Sequence, residues 1–184
     1  MLDYIQPKID KKYIAVFALA VFFSWFLHEL AHWVTGEFLG YKMVMTLNSG
    51  YPVGGAYSQD SHYSIISAAA PIITLFEAIL IFVLMLRRNR ILLYPFIFTC
   101  FYMRLFATVI SFRHPNDEAR ISMAIGVGKF TLPLIMTGIL FALIFKLSTL
   151  YRFDAKFNFL NLALVILFSS VIILTDMVFK VQLL

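Results

Sequence analysis

The sequence predicts an all-α polytopic membrane protein with about five transmembrane helices and a short membrane-associated β-hairpin between the first two. Composition is the first reason: 61% of the 184 residues are hydrophobic and 14% are charged, whereas soluble domains have roughly 45–50% and about 25%. Distribution is the second, because most of the 20 Phe residues lie in long apolar runs that no soluble fold of this size could bury. A polar, Gly-containing segment between the first two runs predicts the hairpin.

Five apolar runs are long enough to cross a bilayer, since a transmembrane helix needs about 20 predominantly apolar residues. Arg104 interrupts the third run, so four spans with one re-entrant segment remain an alternative. All five runs belong to a single predicted membrane domain that covers residues 1–184. The predicted spans lie near residues 13–35, 63–86, 91–112, 121–147 and 159–179.

The hairpin region covers residues 40–60. An alternating stretch at 42–47 precedes Asn48-Ser49-Gly50, and a second Gly-containing stretch follows, which predicts two short strands around a turn. An extended substrate peptide could pair with an edge of this hairpin. A plain polar loop over the helix ends is an equal alternative. Gly54 and Gly55 are our hairpin candidates for substrate contact.

The charge distribution indicates membrane topology. The net charge is +5, but the basic residues lie in short loops between apolar runs, so we expect no nucleic-acid partner. More Lys and Arg residues lie on the side of the N-terminus than on the other, which favours a cytoplasmic N-terminus. We expect a multi-pass integral protein of a prokaryotic plasma membrane, surrounded by the lipid bilayer.

The chemistry-bearing motif is His28-Glu29-Leu30-Ala31-His32 in the first run. On a helix, residues four apart share a face, so both imidazoles can meet one metal ion while Glu29 reaches its open side. Ionisable side chains at membrane depth cost about 2.5–3.5 kcal/mol each, so metal or water must compensate. Cys100 is the only cysteine, which excludes a thiolate cluster. The alternative is that the three polar side chains lie in the wet interface at a helix end.

A catalytic zinc ion takes three protein ligands and keeps one position open, so a third ligand is needed on the same side of the membrane. His28 lies roughly 22 Å along the first span, toward the outer face, where Asp117 precedes the fourth span. From the residues alone, a first-turn acid stabilised by the helix dipole is the stronger explanation of Asp117. The rival ligands on this face are His62, His114 and Glu118.

Three segments share a pattern with one family. Residues 26–36 contain the His-Glu-Leu-Ala-His motif, residues 67–74 read Ser-Ala-Ala-Ala-Pro-Ile-Ile-Thr, and residues 115–121 read Pro-Asn-Asp-Glu-Ala-Arg-Ile. They resemble the zinc helix, the Gly-Pro-x-x-Asn helix entry and the Asn-Pro-x-x-Asp-Gly segment of the site-2 protease family of intramembrane metalloproteases. The resemblance runs over most of residues 20–125.

The resemblance implies a site and a function. It implies that His28, His32 and Asp117 bind one Zn²⁺ ion and that Glu29 is the catalytic base. It also implies hydrolysis of peptide bonds in or near transmembrane segments of membrane-anchored protein substrates.

Departures from the family pattern leave the substrate contacts open. Ala70 and Glu118 stand where Gly is usual, and Thr74, a further candidate for substrate contact, stands where Asn is usual.

Two other functions fit a metal site in a membrane protein: a scaffold of the same fold that binds metal without turnover, and a metal transporter. Glu29 argues against both, because neither needs a base beside two metal ligands. Glu77 and Arg104 are the other ionisable residues at membrane depth. We expect these two to form an ion pair between the second and third spans, with a catalytic or gating role as the alternative.

Overall fold

The computed structural model describes residues 8–88 and 90–184, and it confirms the predicted fold class. Five of its helices are long and apolar enough to cross a membrane. Residues 1–7 and Asn89, which fall within the predicted domain, lie outside the described residues. The elements are α1 (Lys11–Phe38), β1 (Met43–Met45), β2 (Gly50–Pro52), α2 (Asp60–Arg88), α3 (Tyr94–Ile110, after a 3-10 turn at Ile91–Leu93), α4 (Asp117–Ala124), α5 (Thr131–Leu150) and α6 (Ala155–Phe179).

The predicted fourth span, residues 121–147, is wrong at its start. The chain forms the short helix α4, turns, and begins the membrane-length helix α5 only at Thr131. Gly126 and Gly128 cause the break, because their φ angles of 76° and 92° are left-handed and disfavoured for other residues. The α4 segment is therefore a separate short helix that packs on α2 and α5, and Asp117 in its first turn contacts α1.

One face of α1 is buried along most of its length. Tyr13, Phe17, Val21 and Trp25 recur every four residues and pack in the main hydrophobic core with side chains of α2, α3, α5 and α6. This spacing places them along one helix face. The buried residues then continue into the segment 28–32, so the polar motif faces protein instead of lipid.

The predicted hairpin forms and lies directly against α1. Strands β1 and β2 are antiparallel, with Met45 opposite Gly50. The chain approaches α1 so closely at Gly50 that a Cβ atom there would lie 3.2 Å from the Cβ atom of His32. The hairpin therefore covers the histidine motif.

The C-terminal end of the chain ties the hairpin to α6. Asp176 is buried and its carboxylate accepts hydrogen bonds from the Thr46 hydroxyl and the Leu47 amide, each at 3.0 Å. Residues 182–184 lie along the outer edge of β1, where the Met45 amide donates to the Leu184 carbonyl at 2.9 Å. The outer edge of β1, one of the hairpin edges with which a substrate peptide could pair, is therefore already paired at Met45.

Gly36 permits the close packing of β1 on α1, and its replacement should be destabilising. A Cβ atom at Gly36 would lie 2.5 Å from the sulfur of the buried Met43, so Gly36→Ala overpacks this contact. A Cβ atom at the helical Gly138 meets nothing within 4 Å, which makes Gly138→Ala the matched control. We expect Gly36→Ala to be less stable than Gly138→Ala by about 1–3 kcal/mol, measured by thermal unfolding in detergent. Equal stability would contradict the close packing.

Candidate metal centre

Three side chains from two helices converge in the interior. His28 and His32 lie one turn apart on α1, and Asp117 is in the first turn of α4. The Asp117 Oδ2 atom is 3.4 Å from the Nε2 atom of each histidine, and all three residues are buried. Each offers one ligand atom, and these atoms lie within 4.8 Å of one another. The group could therefore hold a metal ion.

The other ring nitrogens fix the orientation of both imidazoles. His32 Nδ1 is 2.7 Å from the carbonyl oxygen of Ile66, which can only accept, so His32 donates there. His28 Nδ1 is 3.1 Å from the Thr74 hydroxyl, whose own proton is donated to the Ala70 carbonyl at 2.9 Å, so His28 also donates. In their neutral forms both imidazoles therefore present an Nε2 lone pair to Asp117.

Three acceptor atoms converge within 4.8 Å of one another. Two neutral imidazoles and a carboxylate oxygen are all acceptors, so a metal ion or an added proton between them would stabilise the group. Burial alone would raise the pKa of Asp117, but hydrogen bonding to His28 and His32 outweighs it and holds this pKa well below its usual range. Asp117 is thus an anion, as a metal ligand must be.

Local structure at the start of α4 positions Asp117. The side chain of Asn116 caps the helix by accepting from the Asp117 amide at 3.0 Å. Arg120, one turn later, forms an ion pair with the Oδ1 atom of Asp117. One carboxylate oxygen is therefore held by Arg120, and the other is left to face the imidazoles.

The group opens into a cavity of about 380 Å³. Glu29 lines this cavity together with the metal-binding group, where a base for a metal-bound water would have to lie. The turn Asn48–Gly50 of the hairpin forms part of the wall, which places backbone and polar side chains of the hairpin beside the site. The cavity also contains Arg104 from α3.

The remaining sequence candidates lie elsewhere. His62 bonds to the hydroxyl of Tyr41 at 2.9 Å, and His114 is exposed. Gly54 and Gly55 lie in the exposed turn after β2 and do not line the cavity.

Arg104 has a different partner from the one expected. Its Nη1 atom donates to the Glu118 carboxylate at 2.9 Å, whereas Glu77 accepts from the Ser24 hydroxyl at 2.7 Å. The predicted Glu77–Arg104 pair is therefore wrong, because the short helix α4 delivers Glu118 to Arg104. The sequence suggested Glu118 as a rival ligand and as a departure from the family pattern, not as the partner of Arg104. The signal for this pairing is that Glu118 directly follows Asp117.

Thr74 should tune metal affinity through His28. Thr74→Val keeps the side-chain shape but removes the acceptor of the His28 Nδ1 proton, and such second-shell changes typically weaken metal binding about 10–100-fold. Thr99→Val is the matched control, since the buried Thr99 hydroxyl bonds to the Pro95 carbonyl at 2.8 Å and to no other described residue. We expect the loss in Thr74→Val alone, measured by zinc titration against a competing chelator. Equal affinities in the two variants would contradict this role.

Comparison with known proteins adds no assignment: no family model matches the chain, and neither curated proteins nor solved structures give a significant match. The resemblance to site-2 proteases therefore rests on the three sequence segments alone. The fold and the site define a multi-pass helical membrane protein with a buried group of two histidines and an aspartate that could bind a metal ion.

Proposed function

We propose that this protein is a zinc metalloprotease that hydrolyses peptide bonds in or near the transmembrane segments of membrane-anchored proteins. One observation carries the proposal: a cavity among membrane-length helices is lined both by a three-residue metal-binding group and by Glu29, whose carboxylate is not part of that group. A site that only stores or transports metal has no need of a separate base in the same cavity. Hydrolysis uses both.

The ligand set favours zinc. Two imidazoles and one carboxylate form a typical catalytic zinc set that leaves one position open. Ligand atoms about 2.0–2.1 Å from a tetrahedral zinc ion lie about 3.3–3.4 Å from each other, which agrees with the 3.4 Å separations of Asp117 from both histidines. When bound, zinc supplies Lewis-acid chemistry: it makes water a nucleophile near neutral pH and polarises a carbonyl.

Glu29 is the residue that moves the proton. It follows His28 directly on α1 and lines the cavity, so its carboxylate can accept a proton from the attacking water and return it to the leaving amine. Asn48 and the neighbouring backbone of the hairpin turn line the same cavity. These groups can hold an extended peptide, whereas an intact substrate helix must first unwind because its backbone groups are already paired.

Metal removal and restoration test the proposal. Purified protein in liposomes is incubated with a panel of single-span membrane proteins, then treated with a chelator, and zinc is finally added back. We expect cleavage that the chelator abolishes and zinc restores, since metal ligation is reversible. Cleavage that survives complete removal of metal would contradict a metalloprotease. Metal binding without cleavage would instead favour a scaffold. Movement of zinc across the liposome membrane would favour a transporter.

A further inference from the structure

Arg104 is a buried cation at the metal centre. Its side chain is 3% exposed, and its Nη1 atom donates to Glu118 at 2.9 Å. Its Nε atom has no hydrogen-bond partner among the described residues. A buried charge with unused donors costs free energy, and an ion pair with Glu118 alone does not explain why it projects into the cavity.

The remaining end of the guanidinium lies at a metal ligand. Arg104 Nη2 is 3.3 Å from His28 Nε2 and 3.5 Å from His28 Nδ1. Because Nδ1 donates to Thr74, Nε2 is the acceptor, and one Nη2 proton is directed to it at 3.3 Å. Nη2 has no partner other than the His28 ring among the described residues, so its second proton is available to another acceptor in the cavity.

A cation beside a metal ligand would oppose metal binding, so its presence there needs a compensating role. Glu118 offsets the charge of Arg104 and fixes the planar fork of the guanidinium. Glu118 also follows Asp117 in the first turn of α4. One helical turn thus positions both a metal ligand and the partner of Arg104, which sets the guanidinium at a fixed place relative to the metal-binding group.

We propose that Arg104 is a catalytic residue that donates an Nη2 hydrogen bond to the oxyanion formed when water attacks the peptide carbonyl. This inference rests on the proposed function. The water oxygen bonds to the carbonyl carbon, the carbonyl π electrons move to its oxygen, and Glu29 takes the water proton. The carbonyl then reforms, the carbon–nitrogen bond breaks, and Glu29 protonates the leaving amine. Arg104 keeps its protons throughout and stabilises the negative oxygen.

Two readouts test Arg104, one of which needs no catalysis. Wild type, Arg104→Gln and Arg104→Lys are loaded with Co²⁺, and acetate is titrated while the visible absorption of the metal is followed. The same proteins with zinc are assayed for kcat and KM on a cleaved substrate. Arg113→Gln is the matched control, because Arg113 is exposed near the same end of α3.

We expect Arg104→Gln to keep full cobalt occupancy, to bind acetate about tenfold to 100-fold more weakly, and to lose about 10²–10³-fold in kcat with little change in KM. Arg104→Lys should recover part of each loss, since it keeps the charge without the fork. Arg113→Gln should match wild type.

Unchanged acetate affinity in Arg104→Gln at full cobalt occupancy would overturn the proposal. Loss of cobalt by both Arg104 variants would also overturn it, because the residue would then serve the fold. If wild type cleaves no substrate but Arg104→Gln still weakens acetate binding, the proposed function fails and the anion-binding role of Arg104 stands.

Discussion

Asp117→Ala is expected to lose the bound metal. The substitution removes the carboxylate oxygen that lies 3.4 Å from both imidazole nitrogens, leaving two neutral ligands for a divalent ion. Loss of a direct ligand should exceed the about 10–100-fold effect of a second-shell change. Metal content per chain, measured by mass spectrometry of the purified protein, should fall from one ion toward none, and peptide cleavage should fall with it.

Asp60→Ala is the matched control for this experiment. Asp60 is also an acid in the first turn of a helix, but it is exposed. Asp60 can therefore stabilise its helix through the helix dipole as Asp117 can, but it cannot bind the metal. Full metal content in Asp117→Ala would show that Asp117 is only a first-turn acid, which is the alternative that the sequence left open.

Glu29→Gln should separate metal binding from catalysis. The amide has nearly the same shape as the carboxylate but cannot take a proton from water, so kcat should fall about 10²–10⁴-fold. Zinc should remain at the wild-type level, because Glu29 is not one of the three converging ligands. Cleavage is followed with a single-span substrate, and zinc is measured on the same samples.

Glu37→Gln is the control on the same helix. Glu37 accepts a hydrogen bond from the Met43 amide at 2.7 Å, and the amide oxygen of Gln can still accept it. This variant should cleave at the wild-type rate. If Glu29→Gln also cleaves at that rate, Glu29 is not the base, and if it loses zinc, its role is in the metal site itself.

Local patterns in the sequence carry the part of the fold that could be predicted. Span length and hydropathy indicate five membrane helices, and alternation around Asn48-Ser49-Gly50 indicates the hairpin, because both signals come from residues close together in the chain. The same reasoning places His28 and His32 on one helix face. The break at Gly126 and Gly128 was also present in the sequence, but the apolar residues on both sides obscured it.

Contacts between distant segments could not be read in this way. Asp117 faces α1 and Glu118 faces α3 because of the orientation of α4. No sequence periodicity predicts this orientation. Glu118 stands where the family that the sequence resembles usually has Gly, and its carboxylate forms a 2.9 Å ion pair with Arg104. The choice of Asp117 over its rivals depended on the family resemblance, whereas the convergence with His28 and His32 is a property of the fold.

Isotope labelling reports directly whether this centre hydrolyses a membrane-embedded peptide bond. Zinc-loaded wild-type protein is incubated with a single-span substrate in H₂¹⁸O, and the products are analysed by mass spectrometry. We expect two fragments whose masses sum to the substrate plus one water, with ¹⁸O in the new carboxylate. We expect no such fragments with Glu29→Gln. An intact substrate across the panel, or the same labelled fragments from Glu29→Gln, would contradict hydrolysis at this centre.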